Sequence, residues 1–492
     1  MDKLKWIMPA LLAGMFLLHL PFIEADPDKN ISFSRGPFTD EGLNSIQLRN
    51  FIDHGYLDVA ECDNLLKTPV FNLLLAAPYA LFGTDLQVGR LTVLIMALSM
   101  VFLFSRFKEM RWIAIIFTLL VLLQYHVFQF SHFALAEILS SLIIILSISL
   151  YFFARRQENE NKKRKWVLIS VLLLSISYYL KIQFVYVVAL PFIAYFLESF
   201  TANFDGEGKR SLIVLMVAGT LGPALVYFLG WYLPNFSTYN FMMSHQSGTF
   251  GISDQTYNIL RFNIEHLFLK GPVVVFSIFY LASLIIGIVL LRMKPTGKFF
   301  ILFTAAVAWN IIESHKMLMV YLPTRYQLSM IISAGFTISV VLAELFGMRY
   351  GAKTNLKRIS RFGAVIVALL ILSINSFHYS RIYQNRSFKI REVNSYLAEN
   401  TRPGDVVIGA WAPSFTWDSD NRSFPVWDGF LNYKHPVKKY RPLAVISEPD
   451  EEDSNQAYTG QGIGLNSLSD STRTFRIGLW DVSVFWLNKS SL

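Results

Sequence analysis

The stretch that decides the fold is WVLISVLLLSISYYLKIQFVYVVALPFIAYFLESF, residues 166–200, which is nearly all apolar and carries Lys181 near its middle. As one helix this run would be about 52 Å long at 1.5 Å per residue, whereas the hydrocarbon core of a bilayer is about 30 Å thick. The run therefore predicts two membrane helices joined by a tight hairpin, with Lys181 at its tip.

Similar apolar runs recur over the first 380 residues, and composition agrees with them. Hydrophobic residues make up 53% of the chain and charged residues only 16%, with a mean hydropathy of +0.41, whereas soluble domains carry about 25% charged residues. The fold class that we predict is an all-α polytopic membrane protein with about eleven transmembrane helices. The predicted spans are 5–24, 88–105, 111–128, 134–154, 166–180, 183–199, 211–231, 272–291, 299–313, 325–346 and 361–379.

The basic residues indicate how these spans are oriented. Loops on one side contain Arg106, Lys108 and Arg111; Arg155, Arg156 and residues 162–165; Lys209 and Arg210; Arg292, Lys294 and Lys298; and Arg349, Lys353, Lys357, Arg358 and Arg361. Because cytoplasmic loops are enriched in Lys and Arg, this side is predicted to be cytoplasmic, with the N-terminus inside and the C-terminus outside. The net charge of +9 then needs no nucleic acid as a partner.

The predicted organisation is a transmembrane domain, residues 1–380, followed by a small periplasmic α+β domain, residues 381–492. Two further segments, 25–87 and 232–270, form large outer loops, and KTPVFNLLLAAPYALFG (67–83) in the first is predicted to be an interfacial or partly re-entrant helix. In the tail, residues 388–400 predict a helix, residues 406–411 and 473–487 predict strands, and residues 448–462 predict an acidic loop. The single cysteine, Cys62, excludes an intramolecular disulfide and a cysteine-based metal cluster.

Charged residues recur near the predicted outer ends of the spans. They are Asp40 and Glu41 in PFTDEGLNSIQLRNFIDHG (37–55), Lys67, Glu137, Lys181 and Arg325. Each has a simple structural explanation: Thr39 or Asp40 could cap a helix that runs to about residue 53, the basic side chains could snorkel to the interface, and Glu137 could be a paired carboxylate. A charge at a helix centre costs about 2.5–3.5 kcal/mol on insertion scales, so their convergence on one side favours a functional site.

The residue types at this side suit sugar transfer from a lipid phosphate. Several cations can bind a phosphate, and a carboxylate can act as a general base. Glycosidases need a second carboxyl group as an acid because their leaving alkoxide must be protonated. A phosphate leaving group needs charge neutralisation instead, which the basic residues would supply.

In their order along the chain these residues resemble the GT-C superfamily of membrane glycosyltransferases. The most similar branch contains protein O-mannosyltransferases, lipid A aminoarabinose transferases and Rgt-type lipopolysaccharide transferases. The resemblance rests on FTDEG (38–42) after the first span, KTPVFNLLLAAPYALFG, GTDLQVGRL (83–91), SYYLKIQFVYVVALP (177–191), TRYQLSMIIS (324–333) and the tail beginning GDVVIGAW (404–411).

The resemblance implies an inverting transfer from a polyprenyl-phosphate sugar, outside the bacterial cytoplasmic membrane. Asp40 would be the general base with Glu41 beside it, and Lys67, Lys181 and Arg325 would bind the donor phosphate. Glu137 would help to hold a divalent metal such as Mg²⁺ or Mn²⁺ where one is used. The acceptor would be a periplasmic glycan, a lipid or a protein hydroxyl, with lipid A, core saccharide and surface polysaccharide among the candidates.

Two other classes of function stay open on the sequence alone. A transporter or flippase of lipid-linked glycans would line a path through the membrane with charges and would contain repeated broken helices. A non-catalytic GT-C-like scaffold would keep the fold but lose the acidic residue after the first span. The predicted charges cluster on one side and Asp40 is present, which favours the glycosyltransferase.

Overall fold

The structure is a computed structural model that describes residues 4–198, 209–246, 256–269, 273–292, 297–347, 354–449 and 451–488. The predicted loop 232–270 therefore lies partly outside the described residues.

Helices dominate the first 384 residues. The first ten are α1 (Leu4–His19), α2 (Gly36–His54), α3 (Asp63–Lys67), α4 (Pro69–Phe82), α5 (Leu86–Arg106), α6 (Arg111–Leu120), α7 (Tyr125–Phe130), α8 (Ala136–Arg155), α9 (Glu160–Leu180) and α10 (Leu190–Glu198), with 3₁₀ segments at Leu20–Phe22 and Ile182–Ala189. They continue with α11 (Lys209–Tyr227), α12 (Phe236–Gln246), α13 (Thr256–Ile264), α14 (Val274–Arg292), α15 (Gly297–Glu313), α16 (Thr324–Gly347) and α17 (Thr354–Gln384). Segments of π-helix occupy Phe228–Tyr232 and Glu265–Leu269, and a 3₁₀ turn occupies Ser314–Leu318.

The chain is a multi-pass membrane protein. Within the described ranges, seven helical stretches are long and apolar enough to span a bilayer, and all seven coincide with predicted spans: Leu86–Arg106, Ala136–Arg155, Arg210–Tyr232, Val274–Arg292, Gly297–Leu318, Thr324–Gly347 and Arg361–Asn400. The other four predicted spans fall on shorter apolar helices or, for 166–180, on the second part of α9. The count of eleven and the orientation stay predictions.

Burial separates the central helices from those that face lipid. In α8 and α16, 94% and 83% of the apolar window is buried, whereas the corresponding share is 22% in the helix that includes α11. A helix that is hydrophobic all round belongs in the middle of a bundle, and one with exposed apolar residues belongs at its lipid-facing surface. The helices α8 and α16 thus form the buried centre of the bundle, and each contributes a charged residue from its first turn to the site described below.

The predicted break at Lys181 is confirmed. Helix α9 ends at Leu180, Lys181 is extended (φ −156°, ψ 114°), and a 3₁₀ segment then leads into α10. The predicted helix after Lys67 is confirmed as α4, a 14-residue helix whose Leu73, Leu81 and Phe82 are largely exposed. Such exposed apolar residues suit an interfacial position, which stays a prediction.

The tail folds as the predicted α+β unit. Its elements are α18 (Lys389–Asn400), β1 (Val406–Ile408), α19 (Ala412–Phe415), β2 (Arg422–Phe424), α20 (Pro436–Tyr440), β3 (Ala444–Ser447), α21 (Glu452–Thr459), α22 (Leu465–Leu468), β4 (Ser469–Ile477) and β5 (Trp480–Leu487). The strands form one sheet in the order β2-β1-β3-β5-β4, parallel at β1 and antiparallel between β3, β5 and β4. The prediction of an acidic loop at 448–462 is wrong for most of that segment. Helix α21 forms there and buries Ala457 and Tyr458.

Helix α2 packs against this tail. Phe38 belongs to the hydrophobic core that α18, α19 and the sheet form. Arg49 donates hydrogen bonds to the carbonyl oxygens of Pro413, at 2.8 Å, and Thr416, and its guanidinium lies 3.9 Å from the ring centre of Trp417. Burial lowers the pKa of Arg49 to about 10, so the side chain keeps its charge at neutral pH. The first loop and the tail are therefore one packed unit.

Candidate active site

Asp40 lies on the second turn of α2, not at its cap. The helix begins at Gly36, with Pro37 in its first turn and no side-chain cap, as is common for proline at a helix start. The prediction that Thr39 or Asp40 caps this helix is therefore wrong. An added Cβ at Gly36 would lie 2.5 Å from Asp40 Oδ2 and 3.4 Å from Arg325 Nη1, so a larger residue there would displace the Asp40 carboxylate.

Asp40 belongs to a group with three other predicted residues, of which it contacts Arg325. Its Oδ2 forms an ion pair with Nη1 of Arg325, the second residue of α16. Glu137, in the first turn of α8, forms an ion pair with Lys181 and lies 4.0 Å from Arg325 Nε. We call Asp40, Glu137, Lys181 and Arg325 the charge cluster. Its two carboxylates and two cations balance, and all four side chains are at most 17% exposed.

Tyr326 is the residue at this site that the sequence did not single out. Its hydroxyl accepts a hydrogen bond from Arg325 Nη2 at 3.2 Å, and its ring centre lies 4.9 Å from the Arg325 guanidinium and 5.4 Å from Lys181 Nζ. The sequence feature that could have identified Tyr326 is its position directly after Arg325 in TRYQLS.

Lys67, the remaining predicted cation, forms its ion pair outside the charge cluster. It ends α3 and forms an ion pair with Asp63, four residues earlier. The carbonyl of Leu66, just before it, accepts hydrogen bonds from the side chains of Trp231 and Tyr239. The backbone at Lys67 is thus anchored to the segment after α11.

Glu41 has a different environment from Asp40. Its Oε1 accepts from Arg90 Nε at 2.9 Å and from the backbone N–H of Ala134 at 2.7 Å, and its Oε2 accepts from Arg90 Nη2 at 2.5 Å. Fully buried Arg90 also donates to the carbonyl oxygens of Phe22, Ile23 and Ala25. This network connects α2 to α5 and to the segment that follows α1. These contacts indicate a structural role for Glu41.

The described residues do not form a ready metal site. Among them, no group of three or more His, Cys, Asp or Glu side chains is arranged to hold a metal ion. Glu137 has an ion-pair contact with Lys181 and lies 4.0 Å from Arg325. Because a divalent ion needs several oxygen ligands and is repelled by neighbouring cations, this donor set does not fit one. The metal role of Glu137 stays a prediction that the geometry does not support.

Comparison with solved structures relates the fold to known proteins. The chain is similar to ArnT from Cupriavidus metallidurans bound to undecaprenyl phosphate, with a TM-score of 0.61, 14% identity and 98% of both chains covered. It is also similar to the Archaeoglobus fulgidus oligosaccharyltransferase in complex with Zn and sulfate (TM-score 0.57, 12% identity) and to AglB of that organism with an inhibitory peptide and a dolichol-phosphate (TM-score 0.55, 11% identity). These alignments cover 91% and 90% of this chain and 69% of each archaeal chain.

No protein-family model matches the chain. No curated protein matches it either. At such low identity the structural likeness shows the fold alone. ArnT, a lipid A aminoarabinose transferase, and AglB are both GT-C superfamily members. The chain therefore has the fold of the GT-C membrane glycosyltransferases, as the resemblance implied, and over its whole length that fold is similar to the fold of ArnT.

Proposed function

We propose that the chain is an inverting glycosyltransferase that moves a monosaccharide from a polyprenyl-phosphate donor to a hydroxyl acceptor. The observation that carries this proposal is the charge cluster. In this cluster Asp40 pairs with Arg325, whose guanidinium also contacts the hydroxyl of Tyr326. Arg325 approaches Glu137, which pairs with Lys181. Solved examples of this fold include complexes with undecaprenyl phosphate and with a dolichol-phosphate.

The basic residues and Tyr326 bind the donor phosphate in this proposal. Lys181, Arg325 and Lys67 supply positive charge, and the Tyr326 hydroxyl supplies a further hydrogen bond. Without donor the charge cluster is already balanced, so an incoming phosphate competes with the carboxylates for the cations. Phosphate takes Arg325 from Asp40, and the freed Asp40 carboxylate turns to the acceptor.

The chemical step then follows from the charges. Asp40 accepts the proton of the acceptor hydroxyl, the acceptor oxygen bonds to the anomeric carbon, and the bond from that carbon to the phosphate oxygen breaks with inversion. The electron pair leaves with the polyprenyl phosphate, whose added negative charge the cations stabilise. The resemblance places Glu41 beside Asp40 among the catalytic residues. In this proposal Glu41 is instead a positioning residue that acts through Arg90. No step is assigned to a metal.

The proposed location is a bacterial cytoplasmic membrane with the site on its outer side. This agrees with the distribution of Lys and Arg along the sequence. Acceptors of the proposed reaction are a periplasmic glycan, a lipid or a protein hydroxyl.

Sugar transfer in membranes tests this function. Membranes containing the wild-type protein would be supplied with a panel of radiolabelled polyprenyl-phosphate sugars, beside the variants Asp40→Asn and Asp53→Asn. Asp53 is the matched control because it lies on the same helix but is exposed and accepts a hydrogen bond from Thr84. We expect transfer from one donor that Asp40→Asn abolishes and Asp53→Asn retains. No transfer from any donor by folded protein would contradict the proposal and favour a transporter or a scaffold.

A further inference from the structure

A further buried ion pair lies on α15 and the turn that follows it, apart from the charge cluster. Glu313, the last residue of α15, is fully buried, and its Oε2 lies 2.6 Å from Nζ of Lys316 in the 3₁₀ segment Ser314–Leu318. Lys316 is 6% exposed. Neither residue has a role in the proposed chemistry, and a charge pair inside a membrane protein needs an explanation.

Every polar atom of this pair has a partner. Glu313 Oε1 accepts from Tyr186 Oη at 2.5 Å and Trp309 Nε1 at 3.0 Å, and its Oε2 accepts from Ser329 Oγ at 2.6 Å. Lys316 Nζ donates to the Tyr326 carbonyl at 3.1 Å and to Ser329 Oγ at 3.0 Å. A fully satisfied network of this kind fixes one arrangement of the segments that it joins.

The segments that it joins are those that carry the cations of the charge cluster. Tyr186 lies on the 3₁₀ segment Ile182–Ala189, which starts immediately after Lys181. Tyr326 directly follows Arg325, and Ser329 lies one turn further along α16. The ring of Phe184, also after Lys181, lies 5.1 Å from Lys316 Nζ. One carboxylate thus connects the Lys181 segment to the Arg325 segment.

Stability alone does not account for such a pair. Replacing a buried ion pair by apolar residues of similar volume is often neutral or stabilising, because desolvation opposes the attraction between the charges. A role in holding two segments at a fixed spacing would account for the pair, because phosphate recognition depends on where the cations lie.

We propose that Glu313 and Lys316 are positioning residues that set the spacing between Lys181 and the Arg325–Tyr326 pair for the donor phosphate. This inference rests on the proposed function. In this inference the pair affects binding of the donor and has no contact with the acceptor.

The test uses full-length protein in detergent or nanodiscs, with undecaprenyl phosphate as the probe for binding and the transferable donor as the probe for kinetics. The variants are Lys316→Met, Lys316→Arg and the double variant Glu313→Gln/Lys316→Met, in which no uncompensated charge stays buried. Asn310→Leu is the matched control, because buried Asn310 also connects α15 to α16, through Met330 O at 3.1 Å and Ser333 Oγ at 2.9 Å.

We expect Lys316→Met and the double variant to raise the dissociation constant for undecaprenyl phosphate and the donor KM by about tenfold or more. A misplacement of about 1 Å can cost as much as about 100-fold. The acceptor KM should stay unchanged, Lys316→Arg should recover part of the binding, and Asn310→Leu should lower thermal stability without a selective effect on donor.

Three results would overturn the inference, and they differ in what they mean for the proposed function. If the double variant has the thermal stability and the donor constants of the wild type, the pair does not position the cations and the proposed function is unaffected. The same holds if its donor constants change only in step with those of Asn310→Leu. If wild-type protein binds no undecaprenyl phosphate and transfers no sugar, the proposed function fails, and this inference fails with it.

Discussion

Arg325 is the residue on which the site depends most. It contacts Asp40 through Nη1, Tyr326 through Nη2 and approaches Glu137 through Nε. A lysine cannot reproduce this arrangement, because an ammonium group is a single point charge and lacks the planar fork of a guanidinium. In our proposal, the same guanidinium passes from Asp40 to the donor phosphate.

We therefore predict different effects for Arg325→Lys and Arg325→Met. The lysine variant keeps the charge and should retain weakened donor binding, whereas the methionine variant leaves Asp40 and Glu137 with one cation and should lose about 100-fold or more in transfer, comparable to removal of a transition-state electrostatic contact. The measurement is kcat/KM for donor, with Arg381→Met, at the far end of α17, as the control. Equal activity of the two variants would contradict this role.

Glu41 illustrates how neighbouring carboxylates can have different roles. The sequence places Asp40 and Glu41 side by side, but their side chains leave the helix in different directions, one toward Arg325 and the other toward Arg90. We predict that Glu41→Gln leaves Arg90 as an uncompensated buried charge and costs about 3–5 kcal/mol of stability. Thermal unfolding in detergent measures this, and a variant of wild-type stability without activity would instead make Glu41 catalytic.

Among the elements, α2 and α19 approach each other closely near the site. A Cβ at Gly42 would lie 2.6 Å from the backbone of Pro413 and Ser414, and Ser414 Oγ donates to the Thr39 carbonyl at 3.2 Å. The tail therefore holds the turn of α2 that carries Asp40.

We predict that Gly42→Ala lowers both thermal stability and transfer, because the added methyl group must push α2 and α19 apart. Overpacking of this kind costs about 1–3 kcal/mol. Gly363→Ala on α17 is the control, since its added Cβ would meet nothing within 4 Å, and it should behave like the wild type. A Gly42→Ala protein with unchanged unfolding temperature and transfer would show that this contact is not needed.

The elements also show what the sequence can predict. Seven membrane helices follow from apolar length alone, and the break at Lys181 follows from a run too long for the bilayer. The start of α2 was placed too late, because Thr39 and Asp40 are good capping residues while the actual start uses Gly36 and Pro37. Helix α21 was missed because its polar composition hides a face that buries Ala457 and Tyr458 against the tail.

The sequence predicts the members of the charge cluster but not how they pair. Asp40, Glu137, Lys181 and Arg325 were each predicted, but their pairing depends on how α2, α8, α9 and α16 pack. The Glu313–Lys316 pair was not anticipated at all, since one glutamate and one lysine at the end of an apolar helix look like ordinary interfacial charges. Three-dimensional packing gives these residues their partners.

At the scale of the whole molecule, the tail and the first loop behave as one unit. Asp26 accepts hydrogen bonds from the backbone N–H groups of Lys389 and Ile390 at the start of α18, and Arg35 forms ion pairs with Glu448 and Glu451. Burial raises the pKa of Glu448, which Arg35 opposes. The boundary predicted at residue 381 separates an apolar from a polar part of the sequence. In the structure, residues before and after this boundary pack together.

We therefore predict that a chain ending at residue 386 does not yield a stable membrane domain. Phe38 and the buried guanidinium of Arg49 would lose their partners in the tail, and α2 would expose apolar surface. Size-exclusion chromatography of the detergent-solubilised protein should show aggregation or degradation. A monodisperse truncated protein with wild-type unfolding temperature would contradict the single-unit description.

The most direct test of the central claim measures binding and transfer separately in Asp40→Asn. Our account predicts that this variant transfers no sugar yet binds undecaprenyl phosphate at least as tightly as the wild type, because Arg325 no longer has to leave a carboxylate to reach the phosphate. Loss of binding together with transfer, or retention of transfer, would contradict the assignment of Asp40 as the base that Arg325 releases.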